Sequence, residues 1–120
     1  MLPVRVLPAC FALVHEPWRP HVVASANEQE LKVFKAHGEF PWHLHEQEDE
    51  LFVVWKGEVD IETRERTYRL GAGEVLVIPR QTEHRVVARA ECEILLFEPT
   101  GVRNTGNIVD DVFTAPVNRF

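Results

Sequence analysis

Apolar and polar positions change their spacing along this chain, and the spacing assigns most of it to strands. After Gly57 the alternation is regular: Val59, Ile61 and Thr63 fall on one face of an extended segment, Glu58, Asp60 and Glu62 on the other. That is the pattern of a half-exposed antiparallel strand. Leu51 to Trp55 is apolar throughout, as a strand covered on both faces requires. Glu28 to His37 sets Leu31, Val33 and Lys35 on one face and Lys32, Phe34 and Ala36 on the other; pointed inward, Lys35 would meet an anionic substrate, and pointed outward it is a surface residue. A charged tip, Arg64-Glu65-Arg66, leads to Thr67–Leu70, and Gly71-Ala72-Gly73 makes a tight turn into Glu74–Ile78, which Pro79 ends. His84, Val86 and Ala88 then share an inner face, and Glu91–Phe97 is a further strand. Residues 7–15 predict a short helix that Pro17 prevents from continuing, and Val112–Ala115 a short terminal strand. Many short strands, with turn signals about every 8 to 12 residues, indicate a sandwich or barrel.

The stretch Gly38 to Gly57 carries the candidate chemistry. His43 and His45 are two apart, so in extended backbone both imidazoles project from the same side, about 7 Å from one another. Two imidazoles aimed at one point suggest a metal. Glu50 follows the polar run Glu46-Gln47-Glu48-Asp49, which reads as a loop able to turn a carboxylate back. A second stretch runs from Gly73 through Pro79 to His84. Together, Gly38…His43-Leu44-His45…Glu50…Gly57 and Gly73…Pro79…His84 resemble the two motifs of the cupin family. The resemblance implies a small antiparallel jelly-roll barrel, an enclosed and largely apolar pocket, a homodimer, and His43, His45, Glu50 and His84 as metal ligands. Three positions depart from the pattern: four residues rather than five separate Gly38 from His43, Gln81 stands where glycine is common, and Ala88 replaces a closing asparagine. Glu98-Pro99-Thr100 and Asn104-Thr105-Gly106 also look like small single-domain cupins.

Composition narrows the setting. At 120 residues, 45% hydrophobic and 27% charged, the chain reads as one domain over 1–120, with the barrel at about 22–98 and an irregular tail at 99–120. No apolar run approaches the roughly 20 residues of a membrane span, and no leader pattern opens the chain, so a cytoplasmic location is expected. The net charge of −6 without a basic cluster argues against nucleic acid as a partner. Cys10 and Cys92 sit among apolar neighbours and read as small buried hydrophobes. His15, His21 and His37 lie outside the ligand pattern.

Three imidazoles and a carboxylate leave up to two open positions on a divalent Fe, Mn, Ni, Zn or Cu ion, and spacing does not choose among these metals. The expected function is that of a metalloenzyme acting on a small organic molecule, by O₂-dependent oxidation or sugar-type isomerisation. The alternative is a non-catalytic binder of a metal or small ligand, serving as a sensor or in a structural role. Candidates for a general acid or base are Lys35, Gln47, Tyr68 and Arg80. Phe40, Trp42, Phe52 and Trp55 are candidates to line the pocket, and Arg103 and Asn104 to reach its mouth.

Overall fold

The computed structural model describes residues 1–120. Helix α1 spans Leu7–Ala12, with Pro8 in its first turn. It stops short of the expected residue 15 because the Leu13 N–H bonds back to the Cys10 carbonyl at 3.1 Å, tightening and closing the last turn. Eight strands follow: β1 (His21–Ala26), β2 (Gln29–Glu39), β3 (Glu50–Lys56), β4 (Glu58–Thr63), β5 (Thr67–Gly71), β6 (Val75–Ile78), β7 (His84–Pro99) and β8 (Asn118–Arg119).

Strand β1 has no counterpart in the hydrophobic alternation. It forms because Asn27 and Glu28 both adopt positive φ (52° and 65°), the mirror-image two-residue turn that folds β1 back on β2 in hairpin register. The two separate strands expected after His84 are one. β7 runs continuously for 16 residues and is the hub of the fold. Its first half pairs with β4, Val86 opposite Ile61. Its second half is shared, with Leu95 facing Val33 of β2 and Val53 of β3. β5 and β6 complete the two edges through β4 and β3, and every pairing is antiparallel except β8 with β1. Register shifts between Ala36 and Gly38 and between Val54 and Lys56 bend these strands into a jelly-roll barrel. The expected terminal strand at Val112–Ala115 is instead a series of turns, tied by Asn104, which donates to the Phe113 carbonyl and accepts from the Ala115 N–H.

The barrel interior is filled by inward residues of β2 to β7, among them Phe34, Phe52, Ile61, Val86, Ile94 and Leu96. Two details differ from the alternation. On β2 the buried lysine is Lys32, while Lys35 lies half-buried on the outer face. On β4 Asp60 is buried rather than solvent-facing, and Arg69 holds it at 2.9 Å with Arg89 at 3.7 Å. Helix α1 covers part of the outer surface, stacking Phe11 on Trp55 with centroids 6.4 Å apart. Its Cys10 is buried and free, as is Cys92 inside the barrel. No helix is long and apolar enough to cross a membrane.

Candidate metal centre

His43 and His84 face each other across an isolated β-bridge and exchange both backbone hydrogen bonds, at 3.0 and 2.9 Å. The bridge sets their imidazoles 4.4 Å apart, centroid to centroid. Each ring is then fixed by its own chain: Nδ1 of His43 donates to the Pro41 carbonyl (2.9 Å) and Nδ1 of His84 to the Thr82 carbonyl (2.8 Å). A carbonyl can only accept, so the proton sits on Nδ1 and the Nε2 lone pair is left free.

His45 is placed from the other side, where its carbonyl accepts the Gln81 N–H at 2.8 Å. Gln81 adopts φ 66°, the left-handed conformation that explains why glycine is common at this position. Its side chain also donates to the Glu46 carbonyl at 2.7 Å, which offsets part of the strain. Glu50, the first residue of β3, turns its carboxylate inward.

The four side chains expected as ligands therefore meet. All are buried, and their candidate ligand atoms lie within 4.8 Å of one another. Glu50 Oε1 is 3.0 Å from His45 Nε2 and 3.5 Å from His84 Nε2, yet these three atoms lack a partner in hydrogen-bond geometry. Buried polar atoms left so are costly. A cation between them would satisfy all three, and the set fits a borderline metal with nitrogen and oxygen ligands.

The electrostatics agree. Burial, followed by the neighbouring His84, lowers His43 from 6.5 to about 4, so this imidazole stays in the neutral, ligating form. Burial alone would raise Glu50, but the imidazoles of His45 and His84 outweigh it and hold the carboxyl well below the usual range.

Beside the four residues lies a narrow cavity of about 30 Å³, walled by Trp18, Phe34, Phe40 and Phe52 and open to His43 and Glu50. The residues found to match a family model for the cupin domain run from 30 to 98, more than half of the chain, and include all four. This chain belongs to the cupin family. Over 64 residues it is 36% identical to the protein of Bacillus subtilis (strain 168) named "Uncharacterized protein YdbB", an alignment covering 52% of this chain and 57% of that relative. It is also similar to the crystal structure of a cupin-2 domain containing protein from Shewanella frigidimarina, with a TM-score of 0.79 and 40% identity over 80% of this chain and 94% of that one. Protein NMB1881 from Neisseria meningitidis shares the fold, with a TM-score of 0.75 and 21% identity over 82% and 100% of the two chains.

Of the other candidates, Phe40 and Phe52 line the cavity of this cupin while Trp42 and Trp55 do not. Trp42 lies on the barrel surface beneath the Arg64 guanidinium, 3.7 Å from its ring. Gln47 and Arg80 are exposed, Arg80 being paired with Asp49 at 3.2 Å. Arg103 is exposed too, whereas Asn104 reaches the cavity wall. Trp18 was not picked out by its sequence context. It takes φ 65°, held by its N–H to the Lys35 carbonyl (2.8 Å) and its indole N–H to the His37 carbonyl (3.1 Å).

The tail supplies a clasp that sequence reading missed. Leu44, between the two histidines, donates to Asn107 Oδ1 and accepts from the Asn107 N–H, both at 2.9 Å. Gly106, at φ +58°, packs so closely that a Cβ would strike the Leu44 carbonyl. Gly106→Ala is accordingly expected to cost more than about 2 kcal/mol in chemical denaturation and to weaken metal binding by pushing the His43–His45 segment. An Ala variant of unchanged stability would show that the clasp gives way freely.

Proposed function

We propose that this cupin holds one divalent transition metal between His43, His45, Glu50 and His84 and uses it to oxidise a small, uncharged and largely apolar molecule with O₂. The supporting observation is the convergence of buried ligand atoms of His45, Glu50 and His84 without hydrogen-bond partners, beside an aromatic cavity that Glu50 and His43 line. Such an ion, when bound, supplies open positions for Lewis-acid or oxygen chemistry.

The chain's own residues set the rest. The Nδ1 hydrogen bonds of His43 and His84 hold both rings with Nε2 toward the site, and the aromatic walls exclude water from the reacting molecule. No lysine or arginine lines the cavity, and apart from His43 and the Trp18 indole, whose N–H is already bonded to the His37 carbonyl, Asn104 is its one uncharged polar side chain. A sugar needs several hydrogen-bond partners, so this lining favours oxidation over sugar-type isomerisation. As packed, about 30 Å³ admits only a few atoms, so a larger substrate enters by displacing wall residues.

Elemental analysis of protein purified without a histidine tag tests the reading, together with oxygen uptake after chelation and reloading with each metal. About one transition metal per chain, with uptake stimulated by small neutral aromatic or carbonyl compounds, is the expected result. Absence of metal even after reconstitution overturns it, and full metal content without any uptake leaves the non-catalytic binder as the better account.

A further inference from the structure

The metal ligands are not the only charged groups inside this barrel. Leu51 of β3 pairs with Phe97 of β7, so their neighbours Glu50 and Glu98 stand side by side across the ladder. Glu98 in turn pairs with Glu30 of β2. Three inward carboxyls thus form one row across three adjacent strands, and each is at most 3% exposed. Lys32, equally buried, places Nζ 2.8 Å from Glu98 Oε1 and 3.7 Å from Glu30 Oε1. Arg119 of β8 closes the far end at 2.8 Å from Glu30 Oε2.

A row like this is expensive, because desolvating each charge costs several kcal/mol and apolar residues would fill the space at less cost. It is also incompletely satisfied: Glu98 Oε2 and Glu30 Oε1 have no hydrogen-bond partner. Lys32 anchors one oxygen of Glu98, leaving the other for Glu50.

We propose that Glu98, anchored by Lys32, is a positioning residue that holds the Glu50 carboxylate in its ligating orientation. The proposal rests on the metal-centre reading above and adds to it a support outside the four ligands. Ligating carboxylates are commonly oriented by such partners, and here the partner comes from the strand next to β3. Glu98-Pro99-Thr100, singled out in the sequence, thereby acquires a role.

Cobalt(II) titration of the metal-free full chain, followed by its visible absorption, tests this in four variants. Glu98→Ala is expected to bind Co(II) about 10- to 100-fold more weakly and to shift the ligand-field bands. Glu98→Gln should restore both affinity and spectrum, since its amide oxygen can accept from Lys32 and its NH₂ can donate to Glu50. Lys32→Met, which leaves Glu98 in place but unanchored, should shift the bands in the direction of Glu98→Ala and provides the answer if that variant does not fold. A merely structural role would move the melting temperature and leave the spectrum unchanged. His45→Ala separates the two levels: its loss of Co(II) alongside unchanged Glu98→Ala and Lys32→Met proteins overturns this inference alone. Unchanged binding by His45→Ala overturns the metal centre beneath it.

Discussion

Replacing His45 by alanine leaves a folded barrel that has lost more than nine-tenths of its metal. The imidazole is one of four converging groups, and losing a ligand should exceed the 10- to 100-fold affinity loss typical of an outer partner. The fold survives because the interior cluster around Phe34, Ile61 and Ile94 is built from strand residues that do not depend on the ion. Two measurements on the same samples check both halves. Metal content per chain should collapse, while the far-ultraviolet dichroism stays that of the unaltered protein. Saturating metal should raise the melting temperature of the unaltered protein by roughly 10 °C, the equivalent of about 2.7 kcal/mol at a hundredfold excess over Kd, and leave His45→Ala unmoved. Stoichiometric metal in the variant would remove His45 from the ligand set.

The metal-free Glu98→Gln protein should lose about 3 kcal/mol of stability between pH 7 and pH 4. The cause is His43, whose value falls from 6.5 to about 4 on folding, a difference worth about 3 kcal/mol. Above 6.5 neither state takes up a proton. Below it the unfolded chain does while the folded chain refuses, so stability falls with falling pH and the loss is complete near 4. Glu50, lowered below 4.5, acts in the same direction at still lower pH. Glu98 opposes them: its raised carboxyl stabilises the fold below 4.5, a contribution lost as pH rises through its folded value. In the unaltered chain the two slopes oppose each other above 4.5, which is why the glutamine variant exposes the histidine. Urea unfolding in chelator at the two pH values reads the difference, and a second change, His43→Leu, should abolish it. A slope that persists in the double variant would assign it elsewhere.

The convergence of the four candidate ligands was legible because motif spacing survives the passage from chain to fold: His43, His45, Glu50 and His84 carry their register with them. Other features depend on partners distant in sequence. Lys32 and Lys35 lie on opposite faces of β2, each with apolar neighbours, and local alternation cannot decide between them. What decides is the Glu98 carboxyl on β7, 66 residues away. Asp60 looks solvent-facing until Arg69 and Arg89 enclose it. β1 was hidden because it follows a turn-like Pro17-Trp18-Arg19-Pro20 segment and pairs through an Asn27-Glu28 turn lacking the usual glycine. Trp18 escaped notice for a related reason, since its place at the cavity depends on two carbonyls of β2. The jelly roll itself was read from turn spacing and the family resemblance together, and neither would have sufficed to place the 16-residue β7 at its centre.

The clasp of Gly106 and Asn107 on Leu44 also bears on the order of assembly. Three of the candidate ligands lie in the first half of the chain, yet the segment bearing His43 and His45 is gripped by residues about sixty positions later, a distance given by Leu44 and Asn107. Loop closures of that length are slow compared with hairpins. A barrel whose tail has not docked would thus present His43 and His45 without their final support, and the ion would be captured tightly only when the later segment arrives. On the proposed metal centre, uptake would then act as a proofreading step, because partly folded chains would be left unloaded and open to proteolysis.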